Sequence, residues 1–420
     1  MDPQSQDSLD RLEYASLSDI GLRRTNNQDS MAVMVAGSRA VWQQRGDLFM
    51  VADGMGAHAA GELASKLATD TVPLTYLKLV DRSPPEAVMA AVHEANARIH
   101  ARGQASPDFK GMGTTSTTLL LLPQGAVLAH VGDSRAYRVR GNRLEQLTFD
   151  HSLVWEMRAS GQMSGEVPDY IPKNVITRSL GPSAAVQVDL EGPHAIAPGD
   201  TFLLCSDGLS GPVKDDEIGM IVHSVPPAEA VQLLVDLANL RGGPDNITVI
   251  IARAVGSDWS GPSSAAAGPR PATRPVHPFV WTTLGVLGLA GLGLLMLGQL
   301  LPAALILAAA VLAAGGALVY RQGGGSGYVF DARPLGRGPY VSISSVPTAD
   351  FVRKLAEIVA ELDRAVKQGG LSIDTARLNP LLVSAKAAVQ ESDFPKAVRF
   401  YGQAISFTLA ELKKRGKGQR

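Results

Sequence analysis

The chain has 420 residues, more than one ordinary domain holds, so length alone suggests two or three units. A formal net charge of -1 gives no pull toward nucleic acid or an acidic substrate. The single cysteine, Cys205, excludes an internal disulfide and fits a reducing compartment.

The N-terminus, MDPQSQDSLD, is polar and acid-rich and reads as carrying no signal peptide. Through residues 1–255, short β-rich runs alternate with amphipathic stretches. LFMVAD (48–53), STTLLLL (116–122), AVLAHVG (126–132), RAYRVR (135–140), DTFLLCS (200–206) and NITVIIAR (246–253) predict strands. PPEAVMAAVHEANARIH (84–100) predicts a helix with proline in its first turn. PPAEAVQLLVDLANLRGG (226–243) predicts another, with Ala230, Leu233, Leu234 and Leu237 at helical spacing and Gly242 as its stop.

Residues 256–278 are rich in Gly, Ser, Pro and Ala and read as a flexible linker. From Phe279 to Tyr320 there is no Asp, Glu, Lys or Arg, far beyond the ~18 apolar residues that suggest a membrane span. One helix over this block would run ~63 Å at 1.5 Å per residue, whereas two crossings of a ~30 Å hydrocarbon core need about 60 Å. Gly298, Gln299 and Pro302 suit a turn between spans at about 279–298 and 302–320. Arg270 and Arg274 precede the block, and Arg321, Arg333 and Arg337 follow it. Basic residues on both flanks place both in the cytoplasm of a membrane-embedded chain.

Residues 321–345 read as a second linker. From 346 to 420 the pattern is helical: Phe351, Leu355, Ile358, Val359 and Leu362 share a face that Gly369 and Gly370 close. Two more helical stretches follow near 374–390 and 394–414. The stretch AVQESDFPKAVRFYGQAISFTLAEL superficially resembles one tetratricopeptide-type pair, but a lone unit lacks the neighbours that bury its core. A small helical bundle and candidate docking module for a protein partner is expected here.

Five acids sit at strand edges beside small or turn-forming residues: Asp29, Asp53, Asp133, Asp207 and Asp245. Singly, each is better read as an Asx-turn or strand-end cap. Together they suit a hard cation, since Mg²⁺ and Mn²⁺ take oxygen ligands, and no Cys/His cluster offers zinc an alternative. Two such ions can clamp the attacking and leaving oxygens of an in-line displacement and turn water into a nucleophile near neutral pH.

The ordered stretches RTNNQD, VADGMGAHAAGE, GMGTTSTT, VGDSRAYR, LLCSDGLSG and GGPDNITV resemble the metal-dependent type 2C protein serine/threonine phosphatases, in their bacterial membrane-anchored branch, over roughly Tyr14 to Val255. The resemblance implies an α+β fold, two antiparallel β-sheets sandwiched between helix layers. The expected chain continues into a transmembrane helical hairpin and a small all-α domain. It implies Asp53 bridging two Mn²⁺ or Mg²⁺ ions, with the Gly54 carbonyl on the second and Asp207 and Asp245 on the first. Asp133, with Asp207, matches a third, weaker site. Arg24 matches the arginine that grips the substrate phosphate, and Asp29 an acid that orients metal-bound water. His58 matches the general acid for the leaving seryl or threonyl oxygen; a histidine near pKa 6.5 can hold and release that proton.

Ala57 replaces a frequent second glycine, and Gln28 a frequent glutamate. Segment 159–181 occupies the position of the family's flap, with an ordinary connecting loop as the alternative. The expected function is hydrolysis of phosphoserine and phosphothreonine in proteins at the bacterial inner membrane. Membrane lipid, phosphoproteins and an opposing Ser/Thr kinase are the expected partners, and nucleic acid is not one. The alternative is a membrane-anchored adaptor with a silent phosphatase-like domain, whose signature would be loss of a metal aspartate.

Overall fold

The computed structural model describes residues 11–56, 59–163, 167–168, 171–172, 175–256, 258–259, 278–322, 335–368 and 374–418. They divide into two units, one made of residues 1–262 with 334–420, the other of 263–333.

In the larger unit the run STTLLLL becomes β5 (Ser116–Leu122), buried along its whole length, as is its partner β6 (Gly125–Val131). A strand covered on both faces needs no polar alternation, which is why Leu119 to Leu122 follow one another without a polar residue. They belong to one antiparallel sheet, ordered β2 (Asp29–Met34), β3 (Asp47–Met55), β5, β6 and β9 (Asp189–His194), with β4 (Gly113–Thr114) against β3. The other sheet is ordered β1 (Leu12–Asp19), β11 (Ile247–Ala254), β10 (Thr201–Cys205), β7 (Arg135–Arg140), β8 (Arg143–Gln146) and β12 (Val341–Ser344). Phe49, Val51, Leu119 and Leu128 of the first meet Phe202, Leu204, Ile250 and Ala252 of the second in one buried cluster. The two antiparallel sheets expected from the resemblance are thus present.

Helices cover them: α1 (Arg39–Arg45), α2 (Ala60–Lys78), α3 (Pro84–Ala105), α4 (Leu153–Ala159), α5 (Asp207–Ser210), α6 (Asp215–Ser224) and α7 (Pro227–Leu240). Ala230, Leu233, Leu234 and Leu237 of α7 are buried, the face their spacing predicts. At the opposite corner Arg11 is buried against Asp47 at 2.8 Å and lies over the Trp42 ring at 5.1 Å. Desolvation pushes the Asp47 carboxyl up, and the guanidinium holds it down. Removing one partner strands a buried charge, so Arg11→Leu should destabilise the fold by about 3–5 kcal/mol in urea denaturation.

Residues 341–344, expected within a linker, form β12 instead, paired antiparallel to β8. Just before it, Glu191 accepts from Gly338 N at 3.0 Å and from the Tyr340 hydroxyl. The C-terminal helices α10 (Ala349–Gln368), α11 (Thr375–Gln390) and α12 (Phe394–Gly418) then share a core with α6, α7 and the β7–β10–β11 sheet. Phe351, Leu355, Val398 and Ile405 are among the buried residues they contribute.

The smaller unit is a helix pair, α8 (Pro278–Met296) and α9 (Leu300–Gln322). Gly298 makes the turn between them at φ +72°, and Gly291 of α8 packs against Leu307 of α9. Among the described residues no helix is long and apolar enough to cross a membrane. At 1.5 Å per residue α8 reaches about 28 Å and includes Thr282 and Thr283.

Candidate active site

Each acid singled out in the sequence sits in or beside the end of a strand. Asp29 opens β2 and is the register partner of Asp53 in β3, so the pairing places the two side by side. Asp207 follows β10 and begins α5, Asp245 precedes β11, and Asp133 lies in the turn from β6 to β7. Because β10 and β11 are neighbours, Asp207 and Asp245 meet at one sheet end.

The backbone of Asp53 is held without help from its carboxylate. Its N–H donates to Thr115 Oγ1 at 2.8 Å, and its carbonyl accepts from Thr114 Oγ1 and Thr115 N, each at 2.9 Å. Gly54 comes next, where an added Cβ would lie 2.1 Å from the Gly61 carbonyl, so no side chain fits. Asp29 accepts from Ser206 Oγ at 2.7 Å, and Arg24 Nη2 donates to Asp245 at 2.6 Å while remaining half exposed. Asn246 organises the intervening loop: its amide nitrogen donates to Ile20 O and Asn26 O, and its amide oxygen accepts from Gln28 N at 2.8 Å. Gln28 Nε2 in turn reaches Gly56 O at 3.4 Å.

The electrostatics are those of a crowd of like charges. Burial raises the Asp53 carboxyl well above the usual range, and Asp29, Asp207, Asp133 and Asp245 push it further the same way. Burial takes Asp29 to about 7, with Asp207 and Asp245 adding to it. Burial likewise takes Asp133 to about 7, with Asp207 and Asp150 adding. Asp207 is raised by burial and then by Asp245, although its carboxyl shares a hydrogen bond with Asp53. Arg24 is raised as well, chiefly by its hydrogen bond to Asp245, and in its case the shift favours the charged form.

Among the described residues no group of three or more Asp, Glu, His or Cys side chains is arranged to hold a metal ion as it stands. The donor chemistry nevertheless suits one. Asp29, Asp133 and Asp207 each keep a buried Oδ1 with no hydrogen-bond partner among the described residues. Buried acceptors and mutually repelling carboxylates call for positive charge, and all of the side-chain donors are hard oxygens.

The structure therefore brings Arg24, Asp29, Asp53, Gly54, Asp133, Asp207 and Asp245 to one end of the two sheets. His58 and Ala57 lie outside the described residues. The described part of segment 159–181 ends beside the site, with Leu180 paired to Thr114. Sequence reading missed Thr115, Ser206 and Asn246, although the last two adjoin aspartates it had marked. It also missed His130, whose Nε2–H donates to Phe149 O at 3.0 Å while Nδ1 takes the Thr117 hydroxyl. Burial, then the neighbouring His151, lowers it to about 3. Unfolded histidine titrates near 6.5, so below that pH the unfolded chain takes up a proton that the fold refuses until about 3. Stability is lost as pH falls through this window. His130→Gln should flatten that slope relative to wild type in urea midpoints between pH 6.5 and 4.5, a comparison that cancels the opposite contribution of the raised carboxylates.

A profile of the family described as protein phosphatase 2C matches residues 23–238. The serine/threonine protein phosphatase PstP of Mycobacterium tuberculosis is 39% identical over 262 residues, 61% of this chain and 48% of that protein. The chain thus spans about half the length of that relative. The protein phosphatase PhpP of Streptococcus pneumoniae is 38% identical over 245 residues, 57% of this chain and 96% of that protein. A crystal structure of the mycobacterial phosphatase superposes with a TM-score of 0.50 at 38% identity, covering 59% of this chain and 100% of the other. With six ordered motifs, two antiparallel sheets and five convergent aspartates, the chain belongs to the protein phosphatase 2C family.

Proposed function

We propose that the chain is a metal-dependent protein serine/threonine phosphatase acting on phosphoserine and phosphothreonine proteins and opposing a Ser/Thr kinase. The observation that carries this reading is the convergence of five buried or half-buried aspartates with a half-exposed arginine at one sheet end. A silent adaptor would lack one of those acids, and all five are in place.

Mn²⁺ or Mg²⁺ held by Asp53, Gly54, Asp207 and Asp245, with a third ion at Asp133 and Asp207, would supply an activated water and neutralise phosphate charge. The protein's own contributions are positional. Arg24 offers a planar fork to two phosphate oxygens, and its exposure leaves it free to exchange Asp245 for substrate. Asp29, held by Ser206, orients the nucleophile. His58 protonates the departing alkoxide. Release of phosphate from a phosphothreonine peptide, with little from the phosphotyrosine equivalent, tests the substrate class; the reverse preference would contradict it.

We further propose that α8 and α9 seat the chain at the bacterial inner membrane as a hairpin, both flanks cytoplasmic. The absence of acidic or basic residues from Phe279 to Tyr320 and the exposure of Leu289, Leu297, Leu301 and Leu312 support this, since such apolar surface is costly in water. An alkaline-phosphatase fusion after Arg420 should be inactive because it stays in the cytoplasm; an active, periplasmic fusion would overturn the hairpin.

A further inference from the structure

The C-terminal helices lie outside residues 23–238, the stretch that the family profile matches, and the streptococcal protein, matched over 96% of its length, has little chain left to build them. What they touch here points to a role. On α7, Glu229 receives Arg399 Nη2 at 2.5 Å and Gln403 Nε2 at 2.8 Å from α12. Two turns along α7, the buried Asp236 is reached by Ser406 and stands 3.9 Å from Lys413 Nζ. Between these clamps Gly402 lies against Leu233, so close that a Cβ there would sit 2.6 Å from it.

The C-terminal end of α7 is the seat of the Arg24 loop. Asn239 Nδ2 donates to Asp19 Oδ1 at 3.1 Å, and the same oxygen accepts from Gly21 N at 2.9 Å. The Gly243 carbonyl accepts from Leu22 N at 2.9 Å and Arg23 N at 3.2 Å, immediately before Arg24 turns to Asp245. Lys413 of α12 lies 3.9 Å from the other oxygen of Asp19.

We propose that α12, clamped on α7, is an intramolecular positioning element that fixes the seat of Arg24 and so sets how firmly the phosphoryl group is gripped. The proposal rests on Arg24 as the phosphate-binding residue. Lys413 and Asp19 are positioning residues. Opening the clamp loosens the grip of Arg24 first, while Asp53, Asp133 and Asp207 stay where their own strands hold them, so KM rises more than kcat falls.

The test is R399E/K413E in the full chain, which sets like charges against Glu229, Asp19 and Asp236. Hydrogen exchange at the Leu22 and Arg23 amides should speed up together with exchange along α12. KM for a phosphothreonine peptide should rise about fivefold with kcat within about twofold, the scale of losing two partly exposed ion pairs. Adding Glu229→Arg should recover part of the KM loss. Faster exchange along α12 with Leu22, Arg23 and KM unchanged would overturn the proposal. Unchanged exchange along α12 would overturn it equally, because the clamp would then not depend on these pairs. Should the double variant fail to fold, K413E alone, at a half-exposed position, carries the same readouts. A wild-type chain that hydrolyses no phosphopeptide would fell the phosphatase reading by itself, and exchange at Leu22 and Arg23 would still decide the seat.

Discussion

Asp53→Asn is expected to lower turnover on phosphothreonine peptide by ~10³-fold or more while leaving the fold intact, since on the proposed reading Asp53 would help hold the metal ions that activate water. The backbone at this position is fixed by Thr114 and Thr115, not by the carboxylate, so the isosteric amide keeps the end of β3 in place. Removing one charge from the neighbourhood of Asp29, Asp133, Asp207 and Asp245 also relieves repulsion in the metal-free protein. The variant should therefore melt at the same temperature as wild type, or higher, without metal, and lose the stabilisation that Mn²⁺ confers on wild type. Paired thermal melts with and without Mn²⁺ check this. A variant that keeps both turnover and Mn²⁺ stabilisation would remove Asp53 from the metal site.

His58→Ala is expected to reduce kcat for phosphoserine by ~10²–10⁴-fold, the usual worth of a positioned general acid. The argument is chemical: a seryl oxygen leaves as a strongly basic alkoxide and needs a proton as the P–O bond breaks. An aryl phosphate leaves as a phenolate that needs little help, so the same variant should lose far less on it. Kinetics on the two substrates, side by side, decide the role. Equal losses on both would make His58 a structural residue.

What could be read locally was read well, and what depended on distant partners was not. STTLLLL and RAYRVR coincide with β5 and β7, and the proline-led helices at 84 and 227 begin where their first turns predict. Helix α2 escaped notice because Ala64, Ala68, Val72 and Tyr76 bury a face of mostly small side chains with no strong apolar stripe, and Pro73 interrupts the pattern. β12 is four residues long and exists by pairing with β8, almost two hundred positions earlier. No local pattern encodes that. The site acids were legible because each stands between an apolar run and a turn. Ser206 and Asn246 were not, because a hydroxyl that holds Asp29 and an amide that ties β11 to the Arg24 loop acquire their roles only when the strands meet. The packing of α12 on α7 was hidden for the same reason: Glu229 and Arg399 look like ordinary solvated charges until the helices cross.

Phosphate release from a phosphothreonine peptide by the full chain, measured with Mn²⁺ and again in excess EDTA, bears most directly on the metal-dependent phosphatase reading. Turnover with Mn²⁺ that stops in EDTA and returns on adding Mn²⁺ back is the predicted result. Undiminished turnover in EDTA, or none with Mn²⁺ present, would contradict it.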